Sequence, residues 1–386
     1  MELREEALKQ LQQFSEQHLA SYAAKRNFDY GPKLRTNTSV LSKYISHRII
    51  DELTVLRSAY GTYPFARIEK FIQEIMWRTY WKGWLEQRPQ VWQDYVTDLT
   101  KLGSQTQSEQ YQQAIQAATS IPCFNDWVKE LQTHGYLHNH ARMWFASIWI
   151  FTLKLPWQLG ADFFLKHLLD GDAAANTLSW RWVAGLHTKG KHYLATTKNI
   201  NLFSGTTYSN LHLNETAMPC TEQKQYPITP LSFTSPSFDN ALCLFHYLDC
   251  SFAGQSPFVS NSMQVAVLDC VPHLHSLQYA SPVLDFKQKI QSQLQQHLAT
   301  TLSRDVPSIS REQLANFVKK NNITKIVMPY LTTGYECDLV ENIKKEMKEV
   351  TIEYAVRDYD KYCWPFASKG FFAFKDQIPG IIAKFM

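Results

Sequence analysis

The sequence lacks long apolar runs, cysteine pairs and a strong charge of either sign. Its seven cysteines form no CxxC pair, which is typical of reduced thiols and argues against a zinc site, an iron–sulfur site or a disulfide framework. No apolar run reaches the roughly 18 residues of a membrane span, and the acidic, helical start is unlike a signal peptide. We therefore expect a cytoplasmic protein with no metal and no membrane partner.

The charge is weak and unevenly distributed. Lys and Arg number 39 against 35 Asp and Glu, a net charge of +4. Residues 1–210 carry 23 basic and 18 acidic side chains, whereas residues 211–386 carry 16 and 17. Ten of the eleven Trp residues precede residue 183. This excess of positive charge is too small to predict nucleic-acid binding by itself, but the asymmetry indicates two different parts.

Apolar spacing predicts the fold class of each part. Spacings of three and four residues predict an all-helical domain over 1–210, followed by a polar linker over 211–227. In a smaller domain over 228–386, strands are predicted at 228–233, 264–270, 325–330 and 350–356, and helices at 240–248, 284–302, 311–320 and 338–348. Such alternation predicts an α/β domain with a parallel sheet. No GxGxxG follows its first strand, so dinucleotide binding there has no support.

The densest group of chemically active residues is DGDAAANTLSWRW, residues 170–182. Two carboxylates separated by one glycine could hold a metal, accept hydrogen bonds from a cofactor's ring edge, or neutralise a buried Arg. The simplest interpretation is a helix start with Asp172 as its N-cap. Alone, this motif does not decide between them.

A second pattern lies in the aromatic stretch 66–85. Glu74, Trp77, Arg78 and Trp81 are spaced i, i+3, i+4 and i+7, so they share one face of a helix. Most aromatic stripes of this kind are core. A Glu and an Arg on the same face are less easily explained without a ligand.

Four segments, in order, resemble the FAD-binding helical domain of the cryptochrome/photolyase family. They are RTNTSVLSKYISHR (35–48), FIQEIMWRTYW (71–81), LHNHARM (137–143) and DGDAAANTLSWRW (170–182) with the preceding Trp157. The resemblance covers about residues 20–205. In that family the helical domain follows an α/β antenna domain, whereas here it comes first. The resemblance therefore implies a compact, circularly permuted relative whose α/β part is antenna-like and Rossmann-type.

The resemblance also implies roles for individual residues. It implies FAD as cofactor, with contacts from Thr38, Ser39, Ser42, Arg142, Asp170, Asp172 and Asn176. Three of these, Thr38, Ser39 and Ser42, lie where a loop enters a helix with Lys33, Arg35 and Arg48 nearby, which suits a pyrophosphate. The catalytic group implied is Glu74, Trp77 and Asn176, with Trp157 and Trp180 as the middle and inner members of an electron-transfer chain. The lesion pocket implied consists of Glu74, Trp77, Asn139, Met143 and Trp182.

The implied activity is light-driven repair of UV-damaged DNA by a monomer. Asn139 and Met143 stand where family enzymes for (6-4) photoproducts carry His, so the resemblance implies cyclobutane pyrimidine dimers as the lesion. A cryptochrome-like FAD photosensor without repair activity is the alternative, because it would share the flavin site. A purely structural helical protein would need Asp170, Asp172 and Arg142 buried without a ligand.

Overall fold

The computed structural model describes residues 1–255, 257–260 and 264–386. Its first part is built from helices, as predicted. They are α1 (Glu2–Gln17), α2 (Tyr22–Lys25), α3 (Ser42–Ser46), α4 (Glu52–Thr62), α5 (Phe65–Glu86), α6 (Gln90–Lys101), α7 (Glu109–Ile115), α8 (Pro122–His134), α9 (Asn139–Ser147), α10 (Trp157–His167), α11 (Ala173–Ala184) and α12 (Thr197–Phe203). A π-helical turn, Ile148–Thr152, continues α9.

The second part is a parallel sheet with helices, which confirms the predicted α/β class. Its strands are β1 (Ala241–Phe245), β2 (Gln264–Asp269), β3 (Ser308–Ser310), β4 (Lys325–Pro329) and β5 (Thr351–Ala355). Its helices are α13 (Val271–Ser276), α14 (Ser281–Leu302), α15 (Arg311–Lys320), α16 (Tyr335–Glu346), α17 (Asp358–Cys363), α18 (Phe371–Lys375) and α19 (Ile378–Phe385). The strand order is β3-β2-β1-β4-β5, and every pairing is parallel.

Two predictions at the start of this part are wrong. The segment 228–233 is not a strand, and the helix predicted over 240–248 contains the central strand β1. β1 lies at the centre of the sheet, paired with β2 on one edge and β4 on the other. All five of its residues are buried, and since successive side chains point to opposite faces, both faces are covered. A short, continuous apolar run has no alternation, so periodicity cannot distinguish a doubly covered strand from a buried helix.

The connection between the two parts runs along the helical part. Residues 204–240 contain no helix or strand. The Cys220 N–H donates to the carbonyl of Ala184 at 2.9 Å, and Arg181 pairs with Glu222. The predicted linker therefore packs against the surface of the helical part.

The last helices of the chain pack back onto α5. Gln87 Nε2 donates to the carbonyl of Trp364 at 2.8 Å. A Cβ on Gly83 would lie 2.8 Å from the Trp364 Cα, so glycine permits this close approach. Residues after β5 thus complete the wall of the helical part, and the division at residues 210 and 228 stays a prediction.

Five buried charged residues join the two parts and are called here the bridge cluster: Arg48, Glu52, Asp249, Arg357 and Asp360. Arg48 binds Asp249 at 2.6 Å and Asp360 at 2.8 Å. Arg357 binds Glu52 at 2.9 Å and Asp360 at 2.8 Å. Burial alone would raise the pKa of Glu52, but the two guanidinium groups outweigh it and lower the pKa to about 2.

None of the helices within the described ranges is both long enough and apolar enough to cross a membrane.

Candidate functional site

A cavity of about 400 Å³ opens among α3, α5, α9 and α11, a volume in the usual range for a small-molecule site. It brings together thirteen of the fourteen positions to which the sequence assigned a cofactor contact, a lesion contact or an electron-transfer role. The lining includes Thr38, Ser39, Ser42, Glu74, Trp77, Asn139, Arg142, Met143, Asp170, Asp172, Asn176, Trp180 and Trp182. Trp157 is not part of this lining. The individual roles of these residues stay predictions.

Asp170 is held in a buried ion pair at the cavity wall. Arg142 Nη2 lies 3.1 Å from Asp170 Oδ2, and Arg78 approaches the same oxygen at 4.0 Å. The loop that carries Asp170 is anchored because the Leu169 N–H donates to the carbonyl of Gly135 at 2.9 Å. Burial would raise the pKa of Asp170, but Arg142 and Arg78 lower it below its usual value. Asp170 is therefore an anion at neutral pH.

Asp172 caps helix α11, as its simplest interpretation requires, and it also has a cationic partner. Its Oδ1 accepts from the N–H of Ala175 at 2.9 Å, and its Oδ2 lies 2.8 Å from Lys82 Nζ. Burial opposes ionisation, but Lys82 and the helix N–H lower the pKa of Asp172. A helix start and a charged site thus coincide, and the two interpretations are compatible.

Asn176 and Trp180 lie one and two turns farther along α11. Asn176 Nδ2 donates to the carbonyl of Ala161 at 2.7 Å, which fixes the side chain. The ring of Trp180 packs so closely on α10 that a Cβ on Gly160 would lie 2.3 Å from it. The indole N–H of Trp180 is buried without a hydrogen-bond partner in the described part of the chain. A buried donor of this kind is expected where a ligand completes the hydrogen bonding.

Helix α5 presents its predicted face to the cavity, since Glu74, Trp77, Arg78 and Trp81 all line it. Glu74 pairs with Arg26 at 3.6 Å. Trp77 is stacked on Phe371, with ring centroids 3.5 Å apart and planes 9° from parallel. The second part of the chain therefore covers one face of this indole.

The stretch that begins α9 separates into cavity residues and structural residues. Asn139 and Met143 line the cavity. In contrast, His138 does not line it and hydrogen-bonds the carbonyl of Arg26 at 3.0 Å. His140 also lines the cavity, but its Nδ1 is engaged by the carbonyl of Asn27 at 2.7 Å. Burial lowers the pKa of His138 to about 4. Of the two predictions for these histidines, structural or DNA-facing, the contacts favour the structural one.

The basic residues predicted near the pyrophosphate are placed elsewhere. Arg35 pairs with Asp29 at 2.8 Å and with Glu130 at 2.7 Å. Arg48 is only 3% exposed and belongs to the bridge cluster. Neither they nor Lys33 line the cavity. Proximity in sequence was the only signal for these residues, and carboxylates distant in sequence bind the two arginines instead.

The rings around Trp180 differ from the predicted pair with Trp157. Trp149, in the π-helical turn, meets Trp180 edge to face at 6.2 Å between centroids. Tyr111 meets Trp149 at 5.8 Å. Trp157 stacks instead on Tyr95 at 5.7 Å. The role predicted for Trp157 stays a prediction.

Sequence reasoning missed three further lining residues, Tyr22, Arg26 and Tyr136. The guanidinium carbon of Arg142 lies over the ring of Tyr136, 5.4 Å from the ring centroid. Arg26 pairs with Glu74 across 48 positions of sequence. No local spacing connects such residues, so only the tertiary structure reveals them.

The donor set suits a flavin nucleotide better than a metal. No group of three or more His, Cys, Asp and Glu side chains capable of holding a metal occurs among residues 1–255, 257–260 and 264–386. The wall combines basic side chains for phosphate, ionised carboxylates for ring N–H groups, and aromatic rings for a flat ring system. These residues fit FAD.

Comparisons with known proteins agree with this fit. Residues 71–210 match the family model described as the FAD binding domain of DNA photolyase. A deoxyribodipyrimidine photo-lyase of Neurospora crassa is 26% identical over 49% of this chain and 31% of its own length. One of Streptomyces griseus is 35% identical over 31% of this chain and 26% of its own length. A class III photolyase structure from Agrobacterium tumefaciens has a TM-score of 0.45 at 25% identity, covering 52% of this chain and 42% of that one.

These matches span less than half the length of the relatives. The domain match confirms the predicted cofactor, FAD.

Proposed function

We propose that this chain, a member of the photolyase/cryptochrome family by its FAD-binding domain, is a light-dependent enzyme that splits cyclobutane pyrimidine dimers in DNA. The observation that carries the proposal is the single cavity in which the carboxylates assigned to FAD and the residues assigned to a lesion share one wall. A site of this kind functions as a constellation, so the joint presence of these residues weighs more than any one of them.

When bound, reduced and excited by light, FAD supplies the electron that opens the dimer and later takes it back. The chain's own residues bind and orient the cofactor and the lesion. Arg142 and Asp170 form an ion pair at the flavin end, and Asp172 offers an ionised acceptor. Glu74 and Trp77 lie on the α5 face of the same cavity. There Glu74 would accept a hydrogen bond from a damaged base.

The lesion must leave the helical stack to reach this cavity. Extrusion is least costly at a base pair that damage has already weakened, which favours a dimer over intact DNA. Asn139 and Met143 contribute no acid or base, and the neighbouring His138 and His140 are engaged by backbone carbonyls. This supports a lesion whose repair requires an electron and no proton transfer, which is the case for cyclobutane dimers.

One observation favours the photosensor alternative. Phe371 covers one face of the Trp77 ring. A damaged base could therefore contact only the opposite face or the edge of this indole. A sensor would keep the flavin end of the cavity and have no need of the lesion end. The two functions are separated by activity and not by cofactor content.

The test uses the full chain, loaded with FAD and reduced anaerobically, with an oligonucleotide that contains one thymine dimer. We expect thymine absorbance to recover under blue light and not in the dark. Glu74→Ala should keep its FAD and lower the repair yield about tenfold, the loss of one hydrogen bond to a charged group. Glu69→Ala is the matched control, since Glu69 is a half-buried, ion-paired glutamate of the same helix that lies outside the cavity lining.

Absence of light-dependent recovery in the FAD-loaded wild type would reject repair and favour the photosensor. Loss of FAD from the Glu74→Ala variant would show that this residue holds the cofactor and not the lesion.

A further inference from the structure

Lys82 is a buried cation on α5 to which the sequence resemblance gives no role. Its side chain is 8% exposed, and its Nζ lies 2.8 Å from Asp172 Oδ2. The partner carboxylate is 5% exposed. Lys is rarely buried to this degree unless it is paired, so this contact explains its position.

One face of α5 serves both carboxylates of the DGD motif. Arg78 approaches Asp170, and Lys82, one turn later, binds Asp172. The other oxygen of Asp172 accepts from the N–H of Ala175. The carboxylate is therefore fixed from two sides, by the start of α11 and by α5.

The surroundings leave Lys82 little freedom to move. A void of about 20 Å³, room for one water, lies between it and the carboxyl ends of β1 and β4, lined also by His47, Thr333 and Glu336. One turn beyond Lys82, Glu86 accepts from the Thr333 N–H at 2.7 Å. The α/β part thus closes over the ammonium group and holds it against Asp172.

The charges at the cavity wall do not cancel once Lys82 is included, which contacts Asp172 from behind the wall and does not itself line the cavity. The five residues Arg78, Lys82, Arg142, Asp170 and Asp172, called here the cavity cluster, comprise three cations and two anions. In a buried site, where water screens charges poorly, one surplus cation stabilises added negative charge. Reduction of a flavin adds electrons to its ring system.

We propose that Lys82 is a positioning residue that fixes Asp172 and whose charge favours the reduced form of bound FAD. This inference rests on the proposed flavin orientation, with Asp172 at the ring. It concerns redox poise and holds for a repair enzyme and a photosensor alike. Its failure is therefore distinguishable from failure of the repair function.

The test compares two variants that break the same ion pair in opposite ways. Lys82→Met removes a positive charge and should lower the midpoint potential of bound FAD. Asp172→Asn removes a negative charge, retains an N-cap, and should raise it. We expect each to change the affinity ratio of reduced to oxidised FAD about tenfold, which is about 30 mV for a two-electron couple. Equilibrium reduction against a reference dye measures the potential.

Both variants lose the contact between Lys82 and Asp172, so a purely structural effect would shift the potential in the same direction in both. Shifts of opposite sign therefore show an effect of charge. Lys82→Arg keeps the charge and should restore the wild-type potential. Lys287→Met is the matched control, since Lys287 is also buried and pairs with a carboxylate, Glu336 at 3.6 Å. Unlike Asp172, the partner of Lys82, Glu336 does not line the cavity. It should leave the potential unchanged.

An unchanged potential in Lys82→Met, or shifts of the same sign in Lys82→Met and Asp172→Asn, would overturn the proposal. If Lys82→Met does not fold, the Asp172→Asn and Lys82→Arg values decide, because the proposal requires a raised potential in the first and a wild-type potential in the second.

Discussion

The bridge cluster and the cavity cluster are two groups of five buried or half-buried charges with opposite balance. In the bridge cluster two cations meet three anions, and each guanidinium binds two carboxylates at 2.6–2.9 Å. In the cavity cluster three cations meet two anions at 2.8–4.0 Å, and all of its members except Lys82 line the open cavity.

This difference separates a structural role from a binding role. Buried charges need partners, and the bridge cluster supplies them from within the chain, across the contact between the two parts. The cavity cluster has a surplus cation, an Arg142 side chain that is partly exposed, and room for a ligand. A charge group that is incomplete without a ligand is the one expected to bind one.

The largest expected effect breaks the bridge cluster. Arg48→Met leaves Asp249 and Asp360 buried with fewer partners, and we expect the free energy of unfolding to fall by about 3–5 kcal/mol. Denaturant titration of the full chain measures it. Lys361→Met, which removes an ion pair with the exposed Asp358, is the control and should cost less than about 1 kcal/mol. Equal losses in the two variants would contradict the structural role.

The second-largest expected effect is the loss of stability at low pH that Glu52 causes. Its folded pKa of about 2 lies below the ordinary glutamate value of 4.5, so its contribution to stability is fully present above pH 4.5 and is lost as the pH falls toward 2. Glu52→Gln should therefore destabilise the protein at neutral pH by on the order of 3 kcal/mol. The gap between wild type and variant should then shrink by about 1.4 kcal/mol per pH unit below pH 4.5.

Urea titrations of both proteins at pH 6, 5, 4 and 3.5 give this gap directly. Glu346→Gln is the control, since it removes only an exposed ion pair with Arg311. A gap between wild type and Glu52→Gln that stays constant down to pH 3.5 would show that Glu52 is not held as an anion by its neighbours.

The sequence predicted the cavity better than the bridge because the cavity is built from local spacing. Four positions on one face of α5, and two carboxylates at a helix start, are visible in a short window of sequence. Arg48 was misplaced for the opposite reason. Its partners, Asp249 and Asp360, are about 200 and 300 positions away, so its neighbours in sequence gave a false indication of phosphate binding.

The same limit explains the errors in the α/β part. Strand β1 is apolar throughout because it is the central strand of the sheet and both its faces are buried, and its position between β2 and β4 is not visible in its own residues. Phe371 gave no signal either, although it covers Trp77 from almost 300 positions away. Most helices and strands, and the residues that share a helix face, can be predicted from local sequence patterns. The residues that contact one another across long distances in sequence are known only from the tertiary structure.

The smallest expected change in stability sharpens the comparison from the cavity side. Arg142 is 25% exposed and Asp170 keeps Arg78 nearby, so Arg142→Gln should lower the free energy of unfolding of the FAD-free protein by no more than about 1 kcal/mol. FAD affinity should nevertheless fall about tenfold, because the surplus charge and a donor at the flavin end are lost.

Arg181→Gln is the matched control, since Arg181 is buried on α11 with Glu222 as its partner and lies outside the cavity lining. It should show the reverse pattern, with reduced stability and unchanged FAD affinity, as measured by denaturant titration and by FAD fluorescence. If Arg142→Gln instead destabilises the protein as much as Arg48→Met and keeps its FAD, the cavity cluster is structural and the distinction between the two clusters fails.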